Sequence, residues 1–239
     1  MHSLVIIQNI VGFIALIITP FSTLPQLYKT FREKKVGTIS FSTFWILWIG
    51  LISWFFYSIF QNETSIFLFL SSFLDLSLLS SLLFLLYKYS KNKHYISMTI
   101  FLVTIYFFIV TIGILKINKI VEFSNSIINS ILINIGSFCI AFASLPQIIK
   151  IFWKKEIKGI SLFYKSLVFL VELSWFIYWL IAGLLGIWDI NEGVSVPLHE
   201  MIQLMIWASL AVFINLLLLL ILIFKNWVTA FLNRQKTKF

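Results

Sequence analysis

Apolar residues in this chain come in long stretches, at about 4–28, 41–60, 64–87, 95–115, 126–152, 162–185 and 198–224, and the basic residues collect in the gaps. Each stretch approaches the roughly 20 residues that an α-helix needs to cross the hydrocarbon core of a bilayer. None alternates apolar with polar positions as a strand of a membrane barrel would. A spanning segment has no water to satisfy its backbone, so each stretch predicts a helix that bonds its own N–H and C=O groups. Composition agrees: 60% of the residues are hydrophobic and 11% charged, where a soluble domain carries about 25% charged residues. The expected fold is an all-α membrane protein with seven transmembrane helices.

The basic residues orient it. Lys29, Arg32, Lys34 and Lys35 fall in the first gap, Lys88, Lys91 and Lys93 in the third, and Lys150, Lys154, Lys155, Lys158 and Lys165 in or beside the fifth. With Lys225, Arg234, Lys236 and Lys238 in the tail, sixteen of the eighteen Lys and Arg residues occupy alternate gaps. The other side holds Lys116 and Lys119 with the acids Glu63, Glu122, Asp189 and Glu192. Basic loops stay cytosolic, which places the N-terminus outside and the C-terminus in the cytosol. The net charge of +9 then reflects this bias and anionic lipid rather than a nucleic acid partner. The first stretch lacks the basic start of a signal peptide and is too long for one, so it is expected to be a retained helix. Cys139 has no partner for a disulfide and is expected to be a small packing residue. A composition rich in Ile, Phe, Lys and Asn suggests an AT-rich genome, and on that basis a bacterial plasma membrane.

The chain also repeats itself. Ser22-Thr-Leu-Pro-Gln-Leu-Tyr-Lys-Thr-Phe31 returns as Ala143-Ser-Leu-Pro-Gln-Ile-Ile-Lys-Ile-Phe152, at an offset of 121. At the same offset Ile39-Ser40 returns as Ile160-Ser161, Ser53-Trp54-Phe55 as Ser174-Trp175-Phe176, and Tyr57 as Tyr178. An offset shared over that span implies internal duplication. The fourth helix has no counterpart, so the plan is 3+1+3: a first triple-helix bundle at 1–90, a linker helix at 91–120, a second bundle at 121–225 and a cytosolic tail at 226–239. One inverting helix between two sets of three makes the bundles parallel. The third helices align at an offset of 140, which sets Asp75 opposite Asn215. Gln61-Asn62-Glu63 is expected to form a tight outer turn, Gly37 and Gly159 loop turns, and Ser40 a helix cap. The longer outer connection is expected at Gly186–Pro197, with Pro197 at a helix start.

Proline inside a helix leaves the carbonyl four residues earlier without its donor, here Phe21 for Pro25 and Phe142 for Pro146. The same kink at the same depth in both halves reads as a pair of bending points. Asp75 lies mid-span, where even the lowest scales charge about 2.5–3.5 kcal/mol for a carboxylate. It must face the bundle interior, carry a proton or be paired, either as a solute or proton site or as a hydrogen bond to a helix backbone or serine. Glu172 is the second acid to weigh, as a proton site or as a water-exposed carboxylate. Trp54 and Trp175 are repeated and deep, which suits pocket walls. Trp45 and Trp48 fit the interfacial belt, and Asn129 and Asn134 fit either the cavity or bonds between helices.

Two Pro-Gln motifs, each ending the first helix of a triad in a seven-helix chain, resemble the PQ-loop superfamily. Its members include the SWEET sugar transporters, their three-helix bacterial relatives and the cystinosin-like amino-acid exporters. The resemblance implies two triple-helix bundles, a solute site between them and alternating access hinged at Pro25, Gln26, Pro146 and Gln147. It also implies pocket residues at Ser53, Trp54, Ser174 and Trp175. The third helices of SWEETs supply two asparagines; here Asn215 fills one place and Asp75 departs at the other. Trp45-Ile-Leu-Trp48 is similar to the spacing in nicotinamide riboside transporters, which share the seven-helix plan.

Catalysis finds no footing. His2, His94 and His199 fall near the water interfaces without metal-ligand spacing, and no phosphate, dinucleotide or zincin motif is present. No cofactor, metal or catalytic residue is expected, and without a nucleotide-binding domain any active transport must be ion-coupled or depend on trapping. The expectation is a transporter of a small polar solute in a lipid bilayer, with substrate residues Ser53, Trp54, Asp75, Ser174, Trp175 and Asn215. Rival readings are a proton-coupled amino-acid exporter, a vitamin carrier of the nicotinamide riboside type and a sorting receptor on the same fold. A receptor needs a basic cavity, whereas the mid-membrane charges read as acidic. Both halves are present, so a pore needs no partner copy, and homo-oligomerisation stays open.

Overall fold

The computed structural model describes residues 2–37, 39–60, 66–118, 126–154, 160–188 and 198–236. Among them the secondary structure is entirely helical: α1 (His2–Ser22), α2 (Leu24–Glu33), α3 (Phe41–Phe60), α4 (Ile66–Tyr89), α5 (Tyr95–Ile117), α6 (Ser126–Phe142), α7 (Leu145–Lys154), α8 (Leu162–Trp188) and α9 (Leu198–Lys236). Seven spans are long and apolar enough to cross a membrane, with α1 and α2 sharing one and α6 and α7 another. The chain is an integral membrane protein. Large apolar side chains stand on the outside, among them Phe13, Phe107, Ile127 and Phe213, an exposure that only a lipid environment accommodates.

Gly37 adopts the left-handed backbone expected of a turn, at φ 61°. Gln61-Asn62-Glu63, Gly159 and Pro197 lie outside the described residues, as do Thr38, Lys119, Glu122, Lys155, Lys158, Asp189, Glu192 and Lys238. The last helix does not stop with the apolar stretch but runs on to Lys236.

The helices pack as a ring: α1 against α4, α4 against α3, α3 against α6, α6 against α9, α9 against α8, and α8 back against α1. The third span of each half therefore sits between its first and second. Two seams join the halves, α1–α8 and α3–α6. Outside the ring, α5 rests on α4. A core of Phe44, Trp48, Leu51, Phe55, Leu79, Leu82, Leu83 and Leu86 ties α3 to α4. Ile148, Ile151, Ile214, Leu218 and Leu222 do the same for α7 and α9.

Small residues let the α3–α6 seam close. A Cβ on Gly136 would stand 2.9 Å from the Trp54 ring, and one on Gly50 would stand 3.1 Å from the Gly136 carbonyl. Close backbone approach of this kind is how helices associate where no hydrophobic force separates protein from lipid. Cys139 packs at the same seam, its Cβ 3.1 Å from that added Cβ on Gly50.

Pro20, inside α1, deprives the Leu16 carbonyl of its helical donor, and Ser71 Oγ of α4 donates to that oxygen at 3.2 Å. The rescued carbonyl is thus Leu16, on a proline outside the repeated motif.

Gly136→Val should force the Trp54 ring from its place and lower stability by about 1–3 kcal/mol. Thermal unfolding of the purified protein will register this as a lower midpoint, and an unchanged midpoint would mean the seam has room to spare.

Candidate functional site

Each half breaks its first span at the repeated motif. The turn falls at Thr23 in one half and at Ala143-Ser144 in the other, so Pro25 and Pro146 occupy the first turns of α2 and α7. There the missing N–H costs nothing, because the first amides of a helix have no internal partner. The expected bend is a full break, and the chain restarts as a new helix with Leu27 N–H bonded to Thr23 O at 3.0 Å and Ile148 N–H to Ser144 O at 3.1 Å.

The glutamines that follow reach across to the other half. Gln26 Oε1 accepts the Ser161 N–H at 2.8 Å, and Gln147 Oε1 accepts the Ser40 N–H at 2.7 Å. One turn later, Lys29 Nζ donates to Ile160 O at 3.0 Å and Lys150 Nζ to Ile39 O at 2.6 Å. Four crossed bonds therefore close this end of the bundle. The repeated pairs Ile39-Ser40 and Ile160-Ser161 are what they grip. Ser161 also caps α8, its Oγ accepting the Tyr164 N–H at 3.2 Å; at Ser40 the bond that stands out is the one to Gln147.

Just above, each break residue holds a polar side chain of its own half's third span. Thr23 Oγ1 donates to Asp75 Oδ1 at 3.0 Å, and Ser144 Oγ donates to Asn215 Oδ1 at 2.8 Å. Asn215 Nδ2 donates to the Ala211 carbonyl. A third member joins the second node: Lys165 Nζ donates to Ser144 Oγ at 2.9 Å. Lys165, counted above with the fifth gap, lies in α8 and is 3% exposed.

Between the halves is a cavity of about 320 Å³. Two Trp–Tyr pairs form facing walls, Trp54 with Tyr57 at 5.5 Å between ring centroids and Trp175 with Tyr178 at 5.6 Å, both edge to face. Trp175 Nε1 donates to Thr19 Oγ1 at 3.2 Å. Asp75, Thr23 and Tyr164 line the end near the crossed bonds, and Glu172, Ser137 and Trp207 line the remainder.

Of the residues expected at a solute site, Trp54, Asp75, Trp175 and Glu172 line this cavity. Ser53 and Ser174 instead donate to the Ile49 and Leu170 carbonyls of their own helices, because a mid-helix serine bonds backward locally. Asn215 is buried with Ser144, behind the lining. Trp45 and Trp48 pack against α4 and α5: Trp45 Nε1 donates to Tyr87 and Trp48 Nε1 to Ser80, with Phe101 beside both rings. Asn129 donates to the Phe60 carbonyl and Asn134 to Gln203. Tyr57 and Tyr178 were visible in the repeat but not singled out, whereas Ser137 and Tyr164 carried no signal at all. Among the described residues no group of three His, Cys, Asp or Glu gathers as a metal site would.

A family model described as the PQ loop repeat matches the chain twice, at residues 7–67 and 128–188. The matched stretches hold both Pro-Gln dipeptides and both Ser-Trp pairs, and they stop short of Asp75 and Asn215. An uncharacterized protein of Methanocaldococcus jannaschii is 36% identical over 61 residues, which is 26% of this chain and 66% of that protein. The sugar transporter SemiSWEET of Leptospira biflexa is 30% identical over 61 residues, 26% of this chain and 72% of that protein.

Gln26→Leu and Gln147→Leu should each strand a buried amide on the opposite half and cost about 1–3 kcal/mol. The two losses should be similar, and Gln→Glu at either position, which keeps an acceptor oxygen, should cost less. Thermal unfolding of the four variants tests this; a neutral pair of leucine variants would show that the crossed bonds carry little energy.

Proposed function

The chain belongs to the PQ-loop repeat family, and from that premise we propose that it is a transporter moving a small polar solute by alternating access between two triads, at 1–90 and 121–225. The observation that carries this reading is a cavity between the halves, closed at one end by four bonds that all cross from half to half. Parting the halves at that end breaks the four together, and rejoining restores them. The breaks at Thr23 and Ala143-Ser144 are the hinges, since a helix already interrupted swings without rupturing a ladder of backbone bonds. The Pro-Gln end faces the cytosol, as the basic residues around it require. On this reading the crossed bonds belong to a state closed on that side.

Trp54, Trp175 and Asp75 contact the solute, while Ser53 and Ser174 hold their own helices. Asn215 acts through Ser144. The vitamin-carrier reading loses its main support, because Trp45 and Trp48 pack against α4 and α5. The receptor reading needs a basic cavity, and the buried Lys165 points its ammonium to Ser144 rather than to the lining. A proton-coupled amino-acid exporter stays closest, favoured by the two lining carboxylates.

The test joins the two halves. In a Cys139→Ser background, Ser40→Cys with Gln147→Cys, bridged by a short bis-thiosulfonate reagent, should stop exchange of sugars, amino acids or nucleosides across proteoliposomes. Reduction should restore it. Exchange that persists through bridging, or its absence from the unbridged protein for every solute class, would overturn the proposal.

A further inference from the structure

The two halves match in scaffold but not in charge. At the equivalent positions of the first and second halves, Asp75 faces Asn215, Leu51 faces Glu172 and Phe44 faces Lys165. Of these residues Asp75, Leu51 and Glu172 line the cavity, and Asn215 and Lys165 meet at Ser144 behind the lining. Lys165 stands behind the lining, bonded to Ser144 and within range of Glu172. No lysine or arginine is among the lining residues. Two carboxylates meet one ammonium, so the second carboxylate holds a charge there only with a further cation beside it and otherwise carries a proton, in a site walled by aromatic rings and embedded in a membrane. A cation entering between them supplies the counter-charge that lets both carboxylates ionise.

Two further features say what kind. The Trp54–Tyr57 and Trp175–Tyr178 pairs set ring surfaces on opposite walls, and such rings attract cations within about 6 Å of their faces. Ser137 also lines the cavity, is 7% exposed, and its hydroxyl has no hydrogen-bond partner. A buried polar atom left open in this way is a contact waiting for a ligand. The volume, about 320 Å³, holds roughly ten water molecules at about 30 Å³ each, which limits the solute to a small molecule.

We propose that the solute is a small monovalent organic cation, a primary amine or quaternary ammonium compound, whose charge sits between Asp75 and Glu172 and whose apolar body lies against the two Trp–Tyr walls. A neutral sugar would fill the same space without supplying a counter-charge. The inference rests on the transport reading only for its consequence in flux; binding is tested separately.

The probes are choline and benzylamine, each beside the uncharged isostere in which the cationic nitrogen is replaced, titrated into the purified full chain and followed by tryptophan fluorescence. Both cations should saturate, and each isostere should bind at least about tenfold more weakly. Asp75→Asn and Glu172→Gln should each weaken the cations by about tenfold or more. Asp75→Glu, which keeps the charge, should restore most of the affinity, and thermal unfolding of each variant separates lost binding from lost fold. Equal binding of cations and isosteres, no saturation by either cation, or full affinity in Asp75→Asn would overturn the inference. Binding without movement across proteoliposomes would overturn the transport reading and leave the cation site standing. A neutral sugar that crosses, with no cation bound, would do the reverse.

Discussion

The bonds that cross between the halves answer one constraint: a backbone amide at a helix start needs an acceptor, and the bilayer offers none. Ile39-Ser40 and Ile160-Ser161 lead directly into α3 and α8, and the Ser40 and Ser161 amides find their acceptors on the other half, in Gln147 and Gln26. Lys29 and Lys150 complete the exchange by binding the preceding carbonyls. The Ser40 and Ser161 amides thus each bond to the half they do not belong to. The prolines make this possible, since they set a new helix going at the depth where the glutamines must reach outward, without forfeiting a backbone bond of their own.

Duplication explains the scaffold and its later divergence explains the chemistry. Positions that stayed alike hold the architecture: Pro and Gln at the breaks, the clamp lysines, the Ser–Trp pairs whose serines bond backward and whose rings face the cavity. Among the positions that differ, Asp75 and Asn215, Leu51 and Glu172, and Phe44 and Lys165 set the charge in the cavity and just behind its lining. A three-helix relative that pairs with its own copy would present the same groups from both sides. Fusing two copies in one chain frees each half to offer different groups to the same solute.

The seven spans and the repeat were legible in the sequence because length, apolar runs and a fixed offset are local properties of the chain. The cavity walls were half legible: Trp54 and Trp175 stood out as repeated rings, yet the same pattern raised Ser53 and Ser174, which a helix turns back on itself. Lys165 looked like one more basic residue beside a loop, because its burial depends on Ser144 and α9, far away in sequence. The partners of Trp45 and Trp48 were hidden for the same reason, since they lie on α4 and α5. The Leu16 carbonyl freed by Pro20 needed Ser71 to complete it, and no spacing rule links residues 55 positions apart. What failed to show was in each case a partner rather than a residue type.

Gate and cavity meet at two hydroxyls. Thr23 is the break residue of the first half and also the donor to Asp75; Ser144 is the break residue of the second half, the donor to Asn215 and the acceptor from Lys165. On the proposed mechanism, swinging α2 or α7 about its break must move the hydroxyl that holds the charged side chain. A solute that draws on Asp75 therefore competes with the bond that steadies the hinge. Coupling then needs no extended pathway through the bundle, because a single side chain belongs to both events. The asymmetry of the two nodes matters in the same way. Asp75 has one hydroxyl donor beside the cavity and is available to a ligand, whereas Asn215 is tied to Ser144 and the Ala211 carbonyl. On that mechanism the first half would hold the responsive hinge and the second half the fixed one.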